Sequence, residues 1–266
     1  MGTGPGLATV VVLRGTDGVK VTEFQPFPGY FGGVFVAAGD LNGDGKAEVV
    51  VTPDAIDAFS GPFGDQLLVR VYNGAALVGV TSIAPVLAAF DGLASLDGTS
   101  GQNNPLVKLG GRAAVADVNG DGLPDLLIAA GNGGGPRITI WNGTGFAGAN
   151  GGKPTTNPLA NLFVFEESQR GGAFVTAGDI TGDGVAEIVV GGGPGGGPRV
   201  RIVDGAKLFS LPNLGVNLDD PANLTSGLVT NNFFSGDPNS RGGVRLTVRD
   251  VDADGKADLI TGSGDN

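Results

Sequence analysis

The chain has 266 residues, a formal net charge of −11, and neither cysteine nor histidine. Disulfides, thiol catalysis, histidine-ligated zinc and a Ser-His-Asp triad are thereby excluded, and the lack of a basic footprint argues against nucleic acid as a partner. Glycine (51) and proline (16) are frequent enough to disfavour helix throughout, yet the apolar residues fall in short regular runs that argue for an ordered all-β chain.

The first such runs are Ala8 to Leu13 and Val21 to Phe27. Next comes a unit that recurs. A stretch opening on Gly-Gly (Gly32 to Gly39) leads into an acidic turn, Asp40-Leu-Asn42-Gly-Asp44-Gly-Lys46-Ala-Glu48, and then into Val49-Val50-Val51. Leu67 to Tyr72 and Val86 to Phe90 complete it. Naming these four stretches A to D, with the acidic turn between A and B, the second unit has A at Gly111 to Ala116, C at Arg137 to Trp141 and D at Leu162 to Phe165. The third has A at Gly172 to Gly178, C at Arg199 to Val203 and D at Asn232 to Phe234. The last, from Gly243, holds only A and B.

The turns keep one spacing. Asp117, Asn119, Asp121 and Asp125 repeat the positions of Asp40, Asn42, Asp44 and Glu48, as do Asp179, Thr181, Asp183 and Glu187, and then Asp250, Asp252, Asp254 and Asp258. Oxygen-bearing side chains thus stand at positions one, three, five and nine. A glycine at six permits the sharp bend, and the backbone carbonyl at seven (Lys46, Leu123, Val185, Lys256) is free to join them. Hard cations such as Ca2+ take such oxygen sets. An EF-hand is ruled out: position twelve is Val51, Ile128, Val190 or Thr261 instead of a bidentate Glu, and the flanks read as strands. The turns hold 13 of the 27 acidic residues, so four bound Ca2+ would leave a net charge of about −3.

The turn starts are 77, 62 and 71 residues apart, a period that signals a repeat architecture. The N-terminal runs supply a C and a D, and the C-terminal unit supplies an A and a B. Joined, they make a fourth unit, and a closed ring protects sheet edges. The expectation is a single domain, 1–266, forming a four-bladed β-propeller, with blades at about 32–90, 111–166, 172–235 and 243–262 plus 7–27. A segment cut in phase from a longer ring is the alternative, and a monomer is expected.

The acidic turns, the Gly-Gly before stretch A (Phe31-Gly32-Gly33 in the first unit) and Gly-Gly-Gly-Pro after stretch B (Gly191 to Pro194) resemble FG-GAP/VCBS repeats, which also build the propeller of integrin alpha subunits. The resemblance implies Ca2+ at positions one, three, five and nine plus the carbonyl at seven. Thr181 departs from the usual Asn or Asp and implies a weaker third site, while Asp252 adds a carboxylate to the fourth. It also implies that ligands meet the face opposite the metals. That face would carry the turns with Arg137, Arg199, Arg170 and Arg241.

Five residues before each turn stand Phe35, Arg112, Phe174 and Arg245. They are read either as arginines stacked on phenylalanines or as an anion site between Arg112 and Arg245. Trp141 and Tyr72 share one C-strand position with Val203 and Leu13, which points to packing between blades. No apolar run reaches the length of a membrane span, and no basic-then-apolar signal segment stands at the N-terminus. The functional expectation is an extracellular or cell-surface binding or scaffold module with a protein or carbohydrate ligand. A glycan-active lyase or hydrolase drawing on acids such as Glu166, Glu167, Asp219 and Asp220 is the alternative, and no motif supports it.

Overall fold

A computed structural model describes residues 8–54, 67–77, 86–93, 110–147 and 157–264. The longer segments 53–66 and 91–110, which the sequence assigns to the face opposite the acidic turns, lie largely outside the described residues. Alternating β-branched and polar residues give the strands β1 (Val10–Leu13), β2 (Lys20–Phe24), β3 (Val34–Gly39), β4 (Glu48–Pro53), β5 (Leu68–Tyr72) and β6 (Val86–Asp91). They continue with β7 (Gly111–Ala116), β8 (Asp125–Ala130), β9 (Arg137–Trp141), β10 (Ala160–Phe163), β11 (Ala173–Gly178), β12 (Glu187–Gly192) and β13 (Arg199–Val203). The remaining strands are β14 (Gly215–Asn217), β15 (Val229–Phe234), β16 (Val244–Arg249) and β17 (Asp258–Ser263).

Three antiparallel meanders form the body: β3-β4-β5-β6, β7-β8-β9-β10 and β11-β12-β13-β15. They are the first, second and third units read from the sequence. Hairpin β1-β2 precedes them and hairpin β16-β17 follows. The A strands β3, β7, β11 and β16 pack in succession, each beside the next. Small residues allow it: a Cβ on Gly39 would sit 2.3 Å from Val115 Cγ1, so only glycine lets β3 approach β7 this closely.

The core lies between sheets rather than inside one. Alternate residues of β8 divide it. Leu126 and Ile128 join the cluster shared with the first sheet and hairpin β1-β2, whereas Leu127 and Ala129 join the cluster shared with the third sheet. Period-two alternation with both faces covered explains why all six residues of β8 and of β12 are buried.

Rings and carbonyls lock neighbouring sheets at matched positions. Phe24 meets Tyr72 with ring centroids 4.7 Å apart, and Phe90 meets Trp141 at 4.6 Å. Arg70 Nη1 and Tyr72 Oη donate to Pro26 O at 2.6 and 2.9 Å. Thr139 Oγ1 and Trp141 Nε1 donate to Gly92 O, and Arg201 Nη1 donates to Val164 O at 2.7 Å. Hairpin β1-β2 thus sits on the first sheet as the first sheet sits on the second. The expected packing role of Trp141 and Tyr72 is what the structure shows.

Two features differ from expectation. Hairpins β1-β2 and β16-β17 remain separate two-stranded sheets, so the described strands do not make the ring-closing pairing. Residues 204–228 also form a strap with two short helices, α1 (Gly205–Phe209) and α2 (Pro221–Thr225), where no helix was expected. Asp204 and Asp220 cap them, and Pro221 starts α2. Between the helices, β14 pairs in parallel with β10 of the second sheet. Leu218 N donates to Phe163 O at 2.8 Å, and Arg201 Nη2 reaches Asp219 Oδ1 at 2.8 Å.

Candidate metal centres

The four acidic turns line up on one side of the molecule. In the second, third and fourth, the side chain at position seven leans on the position-four glycine of the turn before it. A Cβ on Gly43 would lie 3.0 Å from Leu123 Cδ2, on Gly120 3.1 Å from Val185 Cγ2, and on Gly182 2.8 Å from Lys256 Cε. Backbone bonds tie the turns as well: Ala186 N donates to Asp117 O at 2.8 Å and Ala257 N to Asp179 O at 2.7 Å.

Within each turn the carboxylates have divided duties. The position-one aspartate accepts from the N–H groups at positions four and six. For Asp117 these are Gly120 N at 2.7 Å and Gly122 N at 2.8 Å; Asp40, Asp179 and Asp250 repeat the pattern. Asp44, Asp121, Asp183 and Asp254, at position five, accept from the N–H of position seven. The position-nine acid begins strand B, and one of its oxygens takes the N–H of position two. These bonds are Glu48 to Leu41 N (3.0 Å), Asp125 to Val118 N (3.2 Å), Glu187 to Ile180 N (2.8 Å) and Asp258 to Val251 N (2.9 Å). Its other oxygen faces position three: Asn42 and Asn119 reach it at 3.3 and 3.2 Å, and Thr181 only at 3.5 Å. Backbone N–H groups therefore hold each loop in shape.

Burial sharpens the electrostatics. Glu48, Asp125 and Glu187 are buried, and none of the ion pairs among the described residues involves a turn carboxylate. Desolvation pushes the Asp125 carboxyl up to about 7, opposed by the Gly143 and Val118 N–H groups and reinforced by Asp121 and Asp117. Glu48 and Glu187 are raised for the same leading reason. A buried carboxylate beside like charges and without a basic partner is stabilised most directly by a cation. Among the described residues, the fourth turn alone brings three carboxylates together: one oxygen each of Asp250, Asp252 and Asp254 lies within 4.8 Å of the others, without Asp258, whereas the three acids of each earlier turn do not converge to that distance. The oxygen-only donor sets fit a hard divalent ion.

Position four carries a requirement not read from the sequence. Gly43, Gly120 and Gly182 adopt φ of 73°, 76° and 80°, and Ala253 is forced to 63° in the fourth turn. An L-residue is strained there. Ala253→Gly is expected to stabilise the protein by about 0.5–1 kcal/mol, raising the melting midpoint by about 1–4 °C in a circular dichroism scan.

The arginines divide into two groups. Arg112 is buried between Phe35 and Phe174, with its guanidinium carbon 5.5 and 4.0 Å from their ring centroids, and Arg245 lies 5.3 Å from Phe174. Arg112 Nη1 also donates to Ala130 O at 3.3 Å and Ala173 O at 2.9 Å. Burial pulls its pKa down to about 10, with Asp54 opposing and Arg245 adding to the shift. The two arginines flank one shared ring, an arrangement of stacked cations on the inner strands.

On the other side, the turns of Arg137, Arg199, Arg170 and Arg241 meet. Gly133 N donates to Arg170 O and Gly195 N to Arg241 O, each at 2.7 Å. Arg137 Nε bonds Asn161 Oδ1 at 2.6 Å, and Arg199 Nε bonds Asn232 Oδ1 at 2.9 Å. Arg199 also pairs with Glu166 at 2.6 Å. Arg170 and Arg241 are exposed and donate to carbonyls of their own turns. A cavity of about 200 Å³ opens here, lined by Glu166, Gln169, Arg199, Phe234, Pro238 and Arg241 among others.

This combination of antiparallel repeats and aligned acidic turns corresponds to a known class. Residues 32–76 match the FG-GAP repeat and residues 117–190 match the FG-GAP-like repeat. The chain carries FG-GAP repeats, as the sequence motifs indicated, and such repeats occur in integrin alpha propellers. Among curated proteins it is similar to phosphatidylinositol-glycan-specific phospholipase D of Rattus norvegicus, 31% identical over 186 residues, or 68% of this chain and 20% of that protein. The chain thus spans about a fifth of that relative's length. Two solved structures are similar at a TM-score of 0.43. They are the exotype rhamnogalacturonan lyase YesX (16% identity, 96% of this chain, 42% of that one) and the rhamnogalacturonan lyase YesW (13%, 98% and 42%). Among the described residues no helix is long and apolar enough to cross a membrane.

Proposed function

We propose that the four units are successive propeller blades stabilised by Ca2+, and that the chain acts outside the cell as a binding or scaffold module for a protein or carbohydrate ligand. The observation that carries this reading is one acidic turn repeated four times in alignment, with a buried position-nine carboxylate in the first three, three clustered carboxylates in the fourth, and no basic partner among the described ion pairs. Asp40, Asn42, Asp44 and Glu48, with their counterparts in the other three turns and the position-seven carbonyls of Lys46, Leu123, Val185 and Lys256, would hold the ions. A bound ion supplies charge neutralisation and ties strand A to strand B in each blade. Millimolar calcium outside cells suits sites of modest affinity, which is the support for an extracellular location.

Ligand contact is assigned to the opposite face, where exposed Arg170 and Arg241 and the cavity beside Phe234 offer charge and aromatic surface. Arg137 and Arg199 are engaged in links within and between sheets and serve this face mainly as support. Arg112 and Arg245 fit the stacking role better than an anion site, because Arg112 spends its Nη1 donor on two backbone carbonyls.

Isothermal titration of metal-stripped protein with Ca2+ is expected to show up to four sites, the third weakened by Thr181. A combined glycan and protein array, probed with calcium and with chelator, is expected to show retention without turnover. Release of reducing ends from any glycan would assign the chain to the glycan-active class instead, and absence of calcium heat would remove the metal reading.

A further inference from the structure

Glycines open the cavity of about 200 Å³ on the seam between the second and third sheets. Gly192 and Gly197 form one wall. A Cβ on Gly192 would meet Gly197 O at 2.8 Å, and one on Gly197 would meet Phe234 Cε1 at 3.1 Å. Phe165, Glu166 and Gln169, where the second sheet ends, form the wall across from it. The ring on the glycine side is unusually open. Phe234 pairs with Arg199 across β13-β15 as Phe163 pairs with Arg137 across β9-β10. Phe163 is half-buried and its carbonyl takes the N–H of Leu218 from the strap, whereas Phe234 is 51% exposed.

The polar groups around it are held in place by the protein itself. Arg199 crosses the seam. Its Nε donates to Asn232 Oδ1 at 2.9 Å, its Nη1 donates to Glu166 Oε1 at 2.6 Å, and its guanidinium carbon lies 5.8 Å from the centroid of the buried Phe165 ring. Its Nη2 makes no hydrogen bond among the described residues. Glu166 Oε2 accepts from Gln169 Nε2, which orients that amide and leaves Gln169 Oε1 as an acceptor without a donor among the described residues. Arg241 stands exposed at the rim, its Nη1 held by Pro238 O and Ser240 O. Two arginines and one glutamate line the cavity, so it carries a net positive charge in a chain whose formal net charge is −11.

We propose that this cavity takes one residue of an acidic saccharide, a pyranose bearing a carboxylate. The C–H face of the sugar packs on Phe234, the carboxylate meets Arg241 with the remaining Arg199 donor beside it, and hydroxyls donate to Gln169 Oε1 and Glu166. Guanidinium and carboxylate match as donor fork and acceptor, and a few fixed polar groups around an apolar surface orient a small ligand. The acceptors Glu166 and Gln169 call for hydroxyl donors on the same small group that carries the carboxylate, which favours a sugar acid over an acidic side chain. The proposal rests on the reading of this side as the ligand face and narrows it to one pocket and one class of saccharide.

Calorimetric titration with a short oligouronate, and with the same oligomer after carboxyl reduction, tests it at one fixed calcium concentration. The oligouronate is expected to bind, less tightly as salt is added, and the reduced oligomer to bind about tenfold more weakly or worse. Phe234→Ala and Arg241→Gln should each lose about tenfold or more in affinity for the oligouronate. Phe234→Ala should leave the circular dichroism spectrum unchanged, since half of that ring faces solvent. Equal affinity for the two oligomers overturns the proposal, as does a Phe234→Ala variant that binds the oligouronate like the parent. A polyglutamate peptide that binds as tightly and is lost in the same variants also overturns it, and makes the pocket one for acidic peptide. Retention of another glycan or a protein on the array, with no heat from the oligouronate, overturns the assignment of this pocket and leaves the broader reading of the face standing. Silence from the array as well removes both.

Discussion

Chelation of calcium is expected to lower the melting midpoint of this protein by at least about 10 °C. The size follows from linkage. A ligand that binds only the folded state contributes roughly 2.7 kcal/mol when it is present at a hundred times its Kd, and for a domain of this length each kcal/mol moves the midpoint by about 2–4 °C. Two well-occupied sites already reach the figure. The turns themselves should keep their shape when stripped, since backbone N–H groups hold the position-one and position-nine acids in all four. The loss on chelation is then a loss of charge neutralisation, and it should be recovered fully on adding calcium back. Asp117→Ala should remove one site from the titration and a corresponding part of the thermal shift. Coincident melts with EDTA and with calcium would dispose of the metal reading altogether.

Trp141→Ala should cost about 3–5 kcal/mol, the range for emptying a large buried aromatic position. Trp141 is almost wholly buried, packs on Phe90, and donates its indole N–H to Gly92 O and Thr139 Oγ1 at 3.2 and 3.1 Å. Removing it opens a void between the first and second sheets and orphans part of that network. Trp141→Phe keeps much of the ring contact and loses the donor, so it should cost distinctly less. Urea unfolding followed by circular dichroism separates the two. An alanine variant within 1 kcal/mol of the parent would mean that the contact between these sheets is not what holds them. As the single tryptophan of the chain, it also makes native fluorescence a reporter of that one seam.

The strands were legible because their apolar residues alternate and because the pattern comes round again. A to D in the first three units lie within a few residues of where alternation put them. The acidic turns were legible through spacing alone. The requirement at position four was not, because Ala253 breaks the glycine pattern in the fourth turn and only the backbone angle shows that it matters. The strap was missed for a different reason. Its buried residues, Leu208, Val216, Leu218 and Leu228, are too far apart to show a period, and the cap signals at Asp204 and Asp220-Pro221 are local. Ring closure was read from the complementary halves at the two ends, but strand complementarity does not fix how neighbouring sheets are inclined, and the described strands leave β1-β2 and β16-β17 as separate sheets. The alternation of Phe35, Arg112, Phe174 and Arg245 was visible, but their contact as adjacent layers of one stack was not.

The strap at 204–228 leaves the third sheet, lays β14 along the second, and returns. A chain that crosses over in this way makes the middle of the molecule fail as a block. Under tension applied at the termini, the outer hairpins should peel away first, and the second and third sheets should then give way together in one larger step.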